Sequence, residues 1–419
     1  MGCHRRHAAR PAAALERRRL TVLPATRIAP PDWMTGPAAT AVVAALGVAR
    51  FVGGCVRDAV RGDRPQDIDI ATPHDPGSVM ARLAAASIRA VPTGIEHGTI
   101  TAIVEGEPIE VTTLRHDIET DGRHARVAFT DDWTEDAQRR DFTINALYAD
   151  ADGTIYDPTG GLADLEAGIV RFIGDAARRI AEDHLRILRF FRFHGRYAKG
   201  PPDGQARAAI IAAAPLVARL SGERIAMETV RLLQMADPME PVGLMIDWGV
   251  WGSIVAAPPQ RDRLGRVARR EASRDDIDPM RRLSALLPDD AGAVQQIAAR
   301  LKLPVRDRDR LAAAAADDPG NWFTDARARR AAFYRHGIQR VLDQAYRHAD
   351  ERALDAVRAT AACWSRPRLP VGGKDVLARG VSGPAVGTVL AAVEEWWIDG
   401  DFAAGRDACL ERLDAVIGA

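Results

Sequence analysis

From Pro37 onward the apolar positions fall into two rhythms. Ala38–Leu46 is an Ala/Val-rich run of helical length that stops at Gly47. Arg50–Val52 predicts a short strand, after which Gly53-Gly54 opens a helix that runs through Val60. Ile68–Ala71 predicts a second strand, and Pro76–Ala86 a helix whose proline sits in the first turn, where no backbone donor is lost. Thr99–Val104 and Ile109–Thr113 are β-branched runs parted by Gly106 and Pro108, the pattern of a hairpin. Residues 115–131 are polar and contain glycine, which predicts a mobile loop. Beyond about residue 175 the strand signals fade and Ala/Leu/Arg-rich helical periodicity runs to the C-terminus. The predicted architecture is an α+β chain, an α/β head followed by a long all-α region. No internal repeat is visible.

Composition narrows the classes. The chain has 419 residues, with 57 Lys+Arg against 57 Asp+Glu, enough length for two to four domains at roughly 100–200 residues each. No apolar run approaches the ~18–20 residues of a membrane-spanning helix. Cys3, Cys55, Cys363 and Cys409 are dispersed with no CxxC pair, which argues against a disulfide framework or zinc knuckle and for a cytoplasmic location. Residues 1–31 carry seven arginines and one acid without an apolar core segment, so a secretory signal is excluded. An Arg-rich leader of this kind is similar to an organellar transit peptide, but a disordered extension is the expectation. Neutral net charge removes any global attraction for a polyanion without excluding separate patches.

The densest chemistry lies in FVGGCVRDAVRGDRPQDIDIAT, residues 51–72. Asp67 and Asp69 alternate with Ile68 and Ile70, so on a strand both carboxylates share one face, about 7 Å apart at Cα. Such a pair can hold a hard divalent ion together with substrate phosphates; alone, a DxD also describes a solvated edge strand. The upstream strand–Gly-Gly–helix unit presents free backbone N–H groups to a phosphate. Together they point to nucleoside triphosphate chemistry.

The pattern GGxVRDxxxGxxxxDxD resembles the DNA polymerase β-like nucleotidyltransferases, within them the class II branch of bacterial CCA-adding enzymes and poly(A) polymerases. RRDFTINAL (139–147), YDPTGGLADLEAGIVRFIGD (156–175), EDHLRILRFFRF (182–193) and GERIAMETVRLL (222–233) follow in the family's order, so the resemblance covers roughly residues 35–235. It implies a nucleotidyltransferase head over 32–155, a helical neck with base recognition over 156–235, and a helical body and tail over 236–419 that bind tRNA. It also implies Mg²⁺ in a two-metal site, CTP and ATP as substrates, a tRNA 3′ end as acceptor, and no obligate protein partner. In the family, the acids matching Asp67 and Asp69 hold the metals; Glu110, on a neighbouring strand, is the candidate third catalytic carboxylate, against the alternative of a surface residue. Gly54, Arg57 and Arg140 match nucleotide contacts. Arg139 is open between a phosphate ligand and a salt bridge to Asp136. Asp58 reads as structural, and Asp141 and Asn145 as a local hydrogen-bonded pair.

The EDHLR segment carries the base-reading role in this resemblance. Asp183 and Arg186 are three apart and so neighbours on a helix face, an ion pair in the plainest reading. In the family reading the carboxylate accepts the exocyclic amine of cytosine or adenine and the arginine donates to the adjacent ring nitrogen. Guanine and uracil reverse both patterns, so one residue pair admits C and A and rejects G and U. Glu182 would orient the arginine, and Arg189 and Arg192 match further nucleotide contacts. Arg115, Asp117, Asp121, Arg123 and His124 resemble the family's flexible loop, with His124 in place of its second arginine. A poly(A) polymerase shares all these residues, and an inactive RNA-binding module would not need them. Charge is unevenly spread: 11 basic and 22 acidic residues over 32–164, 39 basic and 34 acidic over 165–419. The acidic head and basic helical region suit an RNA held by the latter, its end delivered to metal-binding carboxylates.

Overall fold

The computed structural model describes residues 22–121, 124–316 and 320–418, which divide into two compact units after Ala256. The first is built on an eight-stranded sheet. In chain order its strands are β1 (Pro24–Arg27), β2 (Arg50–Val52), β3 (Asp69–Thr72), β4 (Arg89–Gly94), β5 (Thr99–Val104), β6 (Glu107–Thr113), β9 (Tyr148–Ala149) and β10 (Thr154–Tyr156); β7 (Arg115–Asp121) and β8 (His124–Phe129) form a separate ribbon. The spatial order is β1-β10-β9-β2-β3-β6-β5-β4. Only the central β3–β6 pair is described as parallel, and its register sets Asp69 opposite Glu110. Because paired residues on adjacent strands face the same way, that register puts two acids on one side of the sheet.

Helices cover the sheet where the local sequence starts them: α1 (Pro37–Leu46), α2 (Gly54–Arg61), α3 (Pro76–Ala85) and α4 (Trp133–Gln138). Asp75 caps α3 by accepting from the Ser78 N–H at 3.0 Å, with Pro76 behind it. Under the sheet, Val52, Ala71, Leu114, Trp133 and Tyr148 form one buried cluster. Buried Arg50 lies 3.5 Å from the Tyr156 ring centroid and 4.6 Å from that of Trp133, its charge met by Asp150 at 3.3 Å.

Past the sheet, the helices of the first unit include α5 (Gly161–Ala167), α6 (Ala176–Glu182), α7 (Leu185–Tyr197), α8 (Gly222–Leu233) and α9 (Met239–Asp247). The α7 sequence LRILRFFRFHGRY is two-faced. Phe190 and Phe193 are buried against Phe142 at centroid distances of 6.3 and 5.2 Å, and Phe190 stacks on Phe172 at 5.9 Å. Each such contact adds about 0.5–1.5 kcal/mol beyond area burial, which fixes the helix so that its arginines face away from the core. Trp248, just after α9, packs on Phe191 at 5.3 Å.

Three expectations change. Residues 22–31 are not a disordered extension: β1 pairs with β10, and the Ile28 N–H donates to the Gly153 carbonyl at 2.9 Å. All four β1 residues are exposed, so backbone bonds alone place this edge strand and no apolar alternation announces it. Residues 1–21 lie outside the described residues. The predicted loop 115–131 is largely the antiparallel β7–β8 ribbon, whose RHDIETD and HARVAF strands carry too few apolar positions for a period of two. Arg123 lies outside the described residues. Finally, β3 begins at Asp69; Asp67 precedes it in a bend, although the Glu110 N–H still bonds the Ile68 carbonyl at 3.0 Å.

The second unit is helical throughout its described residues, with one core around Phe333, Val341, Tyr346 and Leu354 and another around Val376, Val393, Trp397 and Leu413. Between its helices runs a buried ion network: Arg281 meets Glu271 at 3.0 Å and Asp343 at 3.3 Å, Arg310 meets Asp343 at 2.7 Å, and Arg282 closes on Glu271. Among the described residues no helix is long and apolar enough to cross a membrane.

Candidate active site

A cleft of about 1340 Å³ opens within the first unit. Its lining includes Gly54, Arg57, Asp67, Asp69, Arg140, Asp183, Arg186, Arg189 and Arg192, so nine of the ten expected site residues converge there from stretches more than a hundred residues apart. Glu110 is exposed and outside that lining, held next to Asp69 by the β3–β6 register.

The sheet wall is anionic. The Asp69 carboxyl is raised to about 6, by burial first and then by the charge of Glu110; Arg140 opposes the shift and Asp67 adds to it. Behind it, Cys55 is buried with its thiol donating to the Val52 carbonyl at 3.4 Å, and burial pushes that thiol up to about 12. Among the described residues no three acids converge closely enough to cage an ion alone. That fits a hard divalent ion, which takes one or two carboxylates and completes its shell with phosphate and water oxygens. An exposed Asp67 beside a proton-hungry Asp69 is such a donor pair.

At the end of β2, Gly53 has φ 75° and ψ −122°, a backbone region open in practice only to glycine. A Cβ there would stand 3.3 Å from Arg140 Nη1, so Gly53 both turns the chain into α2 and gives the guanidinium room. Gly54 occupies the first helical position, where a Cβ would lie in ordinary contact, 3.7 Å from Arg57 Nη2. The strained position is thus the first glycine of the motif, which the sequence reading did not single out. Arg57 is buried, bonded to Asp58 (3.0 Å) and Asn145 and 4.2 Å from the Tyr197 ring centroid.

Buried Asp136 answers the question left at Arg139. It accepts from Arg139 Nε at 2.8 Å, from Arg140 at 3.1 Å and from the Tyr148 hydroxyl at 2.7 Å. Burial alone would raise this carboxyl, but Arg140 and Arg139 hold it well below the usual range. Asp141 accepts from Asn145 at 3.0 Å, across a 3₁₀ turn rather than on a helix face, and from Arg189 at 2.7 Å.

The EDHLR segment corrects the helix-face expectation. Helix α6 ends at Glu182, Asp183 is extended (φ −154°, ψ 108°), and α7 starts at Leu185. The break exists because the Asp183 side chain competes for backbone, accepting from the Leu185 N–H at 3.0 Å. Asp183 and Arg186 therefore form no ion pair with each other. Asp183 Oδ2 takes a bond from Arg224 at 2.7 Å, while Arg186 Nη1 donates to Glu182 (2.6 Å) and the Arg179 carbonyl (2.9 Å), and Nη2 to the Arg139 carbonyl (3.1 Å). Of the five guanidinium donors, Nε–H and one Nη2–H stay available. Arg192 donates to fully buried Glu228 at 2.6 Å. Arg224 and Glu228 belong to GERIAMETVRLL, whose role the sequence reading left blank.

Residues 49–171 match a family model described as Poly A polymerase head domain. Similarity extends far beyond that segment in the mitochondrial CCA tRNA nucleotidyltransferase 1 of Danio rerio, 35% identical over 386 residues that cover 87% of this chain and 86% of the relative. The chain belongs to the CCA tRNA nucleotidyltransferase family. The CCA-adding enzyme of Geobacillus thermodenitrificans is 40% identical over 204 residues, 48% of this chain and 49% of its own. Among solved structures, the Bacillus stearothermophilus CCA-adding enzyme in complex with CTP superposes with a TM-score of 0.69 at 28% identity, over 87% of this chain and 93% of that one. Nucleotidyltransferases of this family work with a divalent metal ion.

Proposed function

We propose that the protein adds CCA, or part of it, to tRNA 3′ ends from CTP and ATP, with Mg²⁺ at Asp67 and Asp69. The observation that carries this reading is that the acidic pair and the Asp183/Arg186 segment line one and the same cleft. The tRNA 3′-hydroxyl gives up its proton to solvent as its oxygen bonds to the α-phosphorus of the bound nucleotide. The bond from that phosphorus to the α,β-bridging oxygen breaks, so that pyrophosphate leaves with the bridging oxygen and the electron pair. When bound, the metal supplies charge neutralisation at the attacking and leaving oxygens. Arg140, braced by Asp136, offers its outer donors to the triphosphate, and the α2 N-terminus beyond Gly53-Gly54 offers backbone N–H groups. Asp183 accepts the exocyclic amine of C or A while the free donors of Arg186 meet the ring nitrogen. Glu110 adds negative charge beside Asp69 as the third carboxylate, and Arg189 and Arg192 line the approach, held by Asp141 and Glu228.

The domain reading that goes with it is a head over 32–155, extended by β1, a neck over 156–235, and a tRNA-binding body and tail over 236–419 whose first helix, α9, falls in the first compact unit. Free Cys55, Cys363 and Cys409 support a reducing compartment, and the reading places the enzyme in the cytoplasm; fractionation of cells expressing the full chain checks it, and an organellar signal would overturn it. Function is tested with a tRNA ending at the discriminator base, with CTP and ATP supplied singly and together and Mg²⁺ present or chelated. Two C and one A, then a stop, is the expected product, and one or two of these steps alone marks a partial adder. Unlimited A addition would replace the proposal by a poly(A) polymerase, and no incorporation by folded protein would overturn it.

A further inference from the structure

Helix α8 reaches the base-reading segment from a separate part of the chain. Its Arg224 donates to Asp183 Oδ2 at 2.7 Å across 41 residues of sequence, and both side chains are about one-quarter exposed where they line the cleft. The other oxygen, Oδ1, accepts the Leu185 N–H at 3.0 Å. The carboxylate that is to read an incoming base is thus tied down from both ends.

A carboxylate offers about four lone-pair sites. Two are used here by donors on opposite oxygens, which stops rotation about the Cβ–Cγ bond and leaves acceptor capacity towards the cleft. Asp183 most needs such fixing, because it sits in the extended break between α6 and α7, without the helical packing that holds its neighbours. Arg186, by contrast, is braced by Glu182 and the Arg179 carbonyl of α6 and by the Arg139 carbonyl at the end of α4. The two base-reading groups are therefore set by different elements, Arg186 from α6 and the end of α4, Asp183 from α8.

We propose that Arg224 is a specificity-determining positioning residue, acting through Asp183 to hold the acceptor that separates cytosine and adenine from uracil and guanine. The proposal rests on the reading of Asp183 as the base acceptor. It gives the GERIAMETVRLL segment a role in nucleotide choice, not only in helix packing.

The test compares Asp183→Ala, Arg224→Ala, Arg224→Lys and the double Asp183→Ala/Arg224→Ala in the full chain. Incorporation of each of the four nucleoside triphosphates into a tRNA lacking CCA is measured as kcat/KM, with folding checked by thermal melting. Losing a hydrogen bond to a charged group costs enough that Arg224→Ala should lower the C-over-U ratio by at least about tenfold. Arg224→Lys, which keeps the cation, should recover part of that ratio, and adding Arg224→Ala to Asp183→Ala should change it no further. Arg224→Ala with a wild-type ratio, or a double variant with the two losses multiplied, would overturn the proposal. Unchanged selection in Asp183→Ala would instead overturn the underlying reading of Asp183, a result separable from the other two. If Arg224→Ala melts early, the Lys variant and the ratio, which does not depend on the amount of folded enzyme, still decide.

Discussion

On the sheet wall of the cleft Asp69 meets Glu110 and Asp67, three groups of one sign, whereas on the helical wall the arginines are matched by acids: Arg186 by Glu182, Arg189 by Asp141, Arg192 by Glu228, and Arg139 and Arg140 by Asp136. The first arrangement raises the free energy of the empty protein and lowers it when a cation arrives. The second offsets its own burial cost and in return fixes each guanidinium in one orientation. On the proposed function, one wall waits for a ligand to complete it, and the other, already paired, measures one. The second unit shows a third use of the same residues. Its Arg281, Arg282 and Arg310 are sunk in a network with Glu271 and Asp343, so a count of arginines there overstates the positive charge left unneutralised.

The largest way to break this contrast is Asp69→Asn. Removing the charge should cut incorporation by roughly a thousandfold or more, on the scale of losing a central electrostatic stabiliser. The same change should make the metal-free protein more stable at neutral pH. The sign follows from the raised carboxyl. Between the ordinary carboxylate value of 3.8 and about 6, folded Asp69 holds a proton that the unfolded chain has released, so its contribution to stability falls as pH rises through that window. Melting in chelator should therefore show the variant above wild type at pH 8, with the gap closing towards pH 4. An inactive variant that melts below wild type at pH 8 would show that Asp69 is not held at a cost.

How much of this was legible before the structure depends on the range over which each feature is decided. Asp67, Asp69, Arg140, Asp183 and Arg186 sit in short motifs whose spacing is itself the signal, and all reached the cleft. The β2 and β5 strands were also readable, because compact β-branched or apolar runs with clear breakers define them locally. The edge strand β1 and the β7–β8 ribbon were not, since backbone pairing rather than apolar alternation places them. Arg224 shows no role within its own motif because its partner, Asp183, is distant in sequence. The break at Asp183 was missed for the opposite reason, a side chain bonding backbone two residues away and overriding a strong helical pattern.

The helical wall is broken at its best-braced member. Arg186→Ala should leave the metal-binding side intact and relax base choice, lowering the C-over-U ratio by roughly ten- to a hundredfold, the worth of one or two bonds from a charged donor. Single-nucleotide incorporation rates measure it. A uniform loss across all four nucleotides with an unchanged ratio would assign Arg186 to structure, and the contrast between a measuring wall and a waiting wall would go with it.

The smallest effect separates the two causes of Asp69's elevation. Burial comes first and Glu110 second, and the two respond differently to salt. Glu110 is exposed, and a charge in water is screened within about 8–10 Å at physiological ionic strength, whereas a desolvated carboxylate is not relieved by salt. Glu110→Gln should thus raise the pH 8 melting temperature of the metal-free protein by less than Asp69→Asn does, and added salt should erase that gain while leaving most of the Asp69→Asn gain in place. A Glu110→Gln gain that survives high salt would mean that Glu110 acts through packing across the β3–β6 pair rather than through charge. Incorporation by the same variant then places Glu110: a loss as deep as that of Asp69→Asn puts it among the ligands of the ion, and a shallow one makes it the neighbour that keeps Asp69 ready for one.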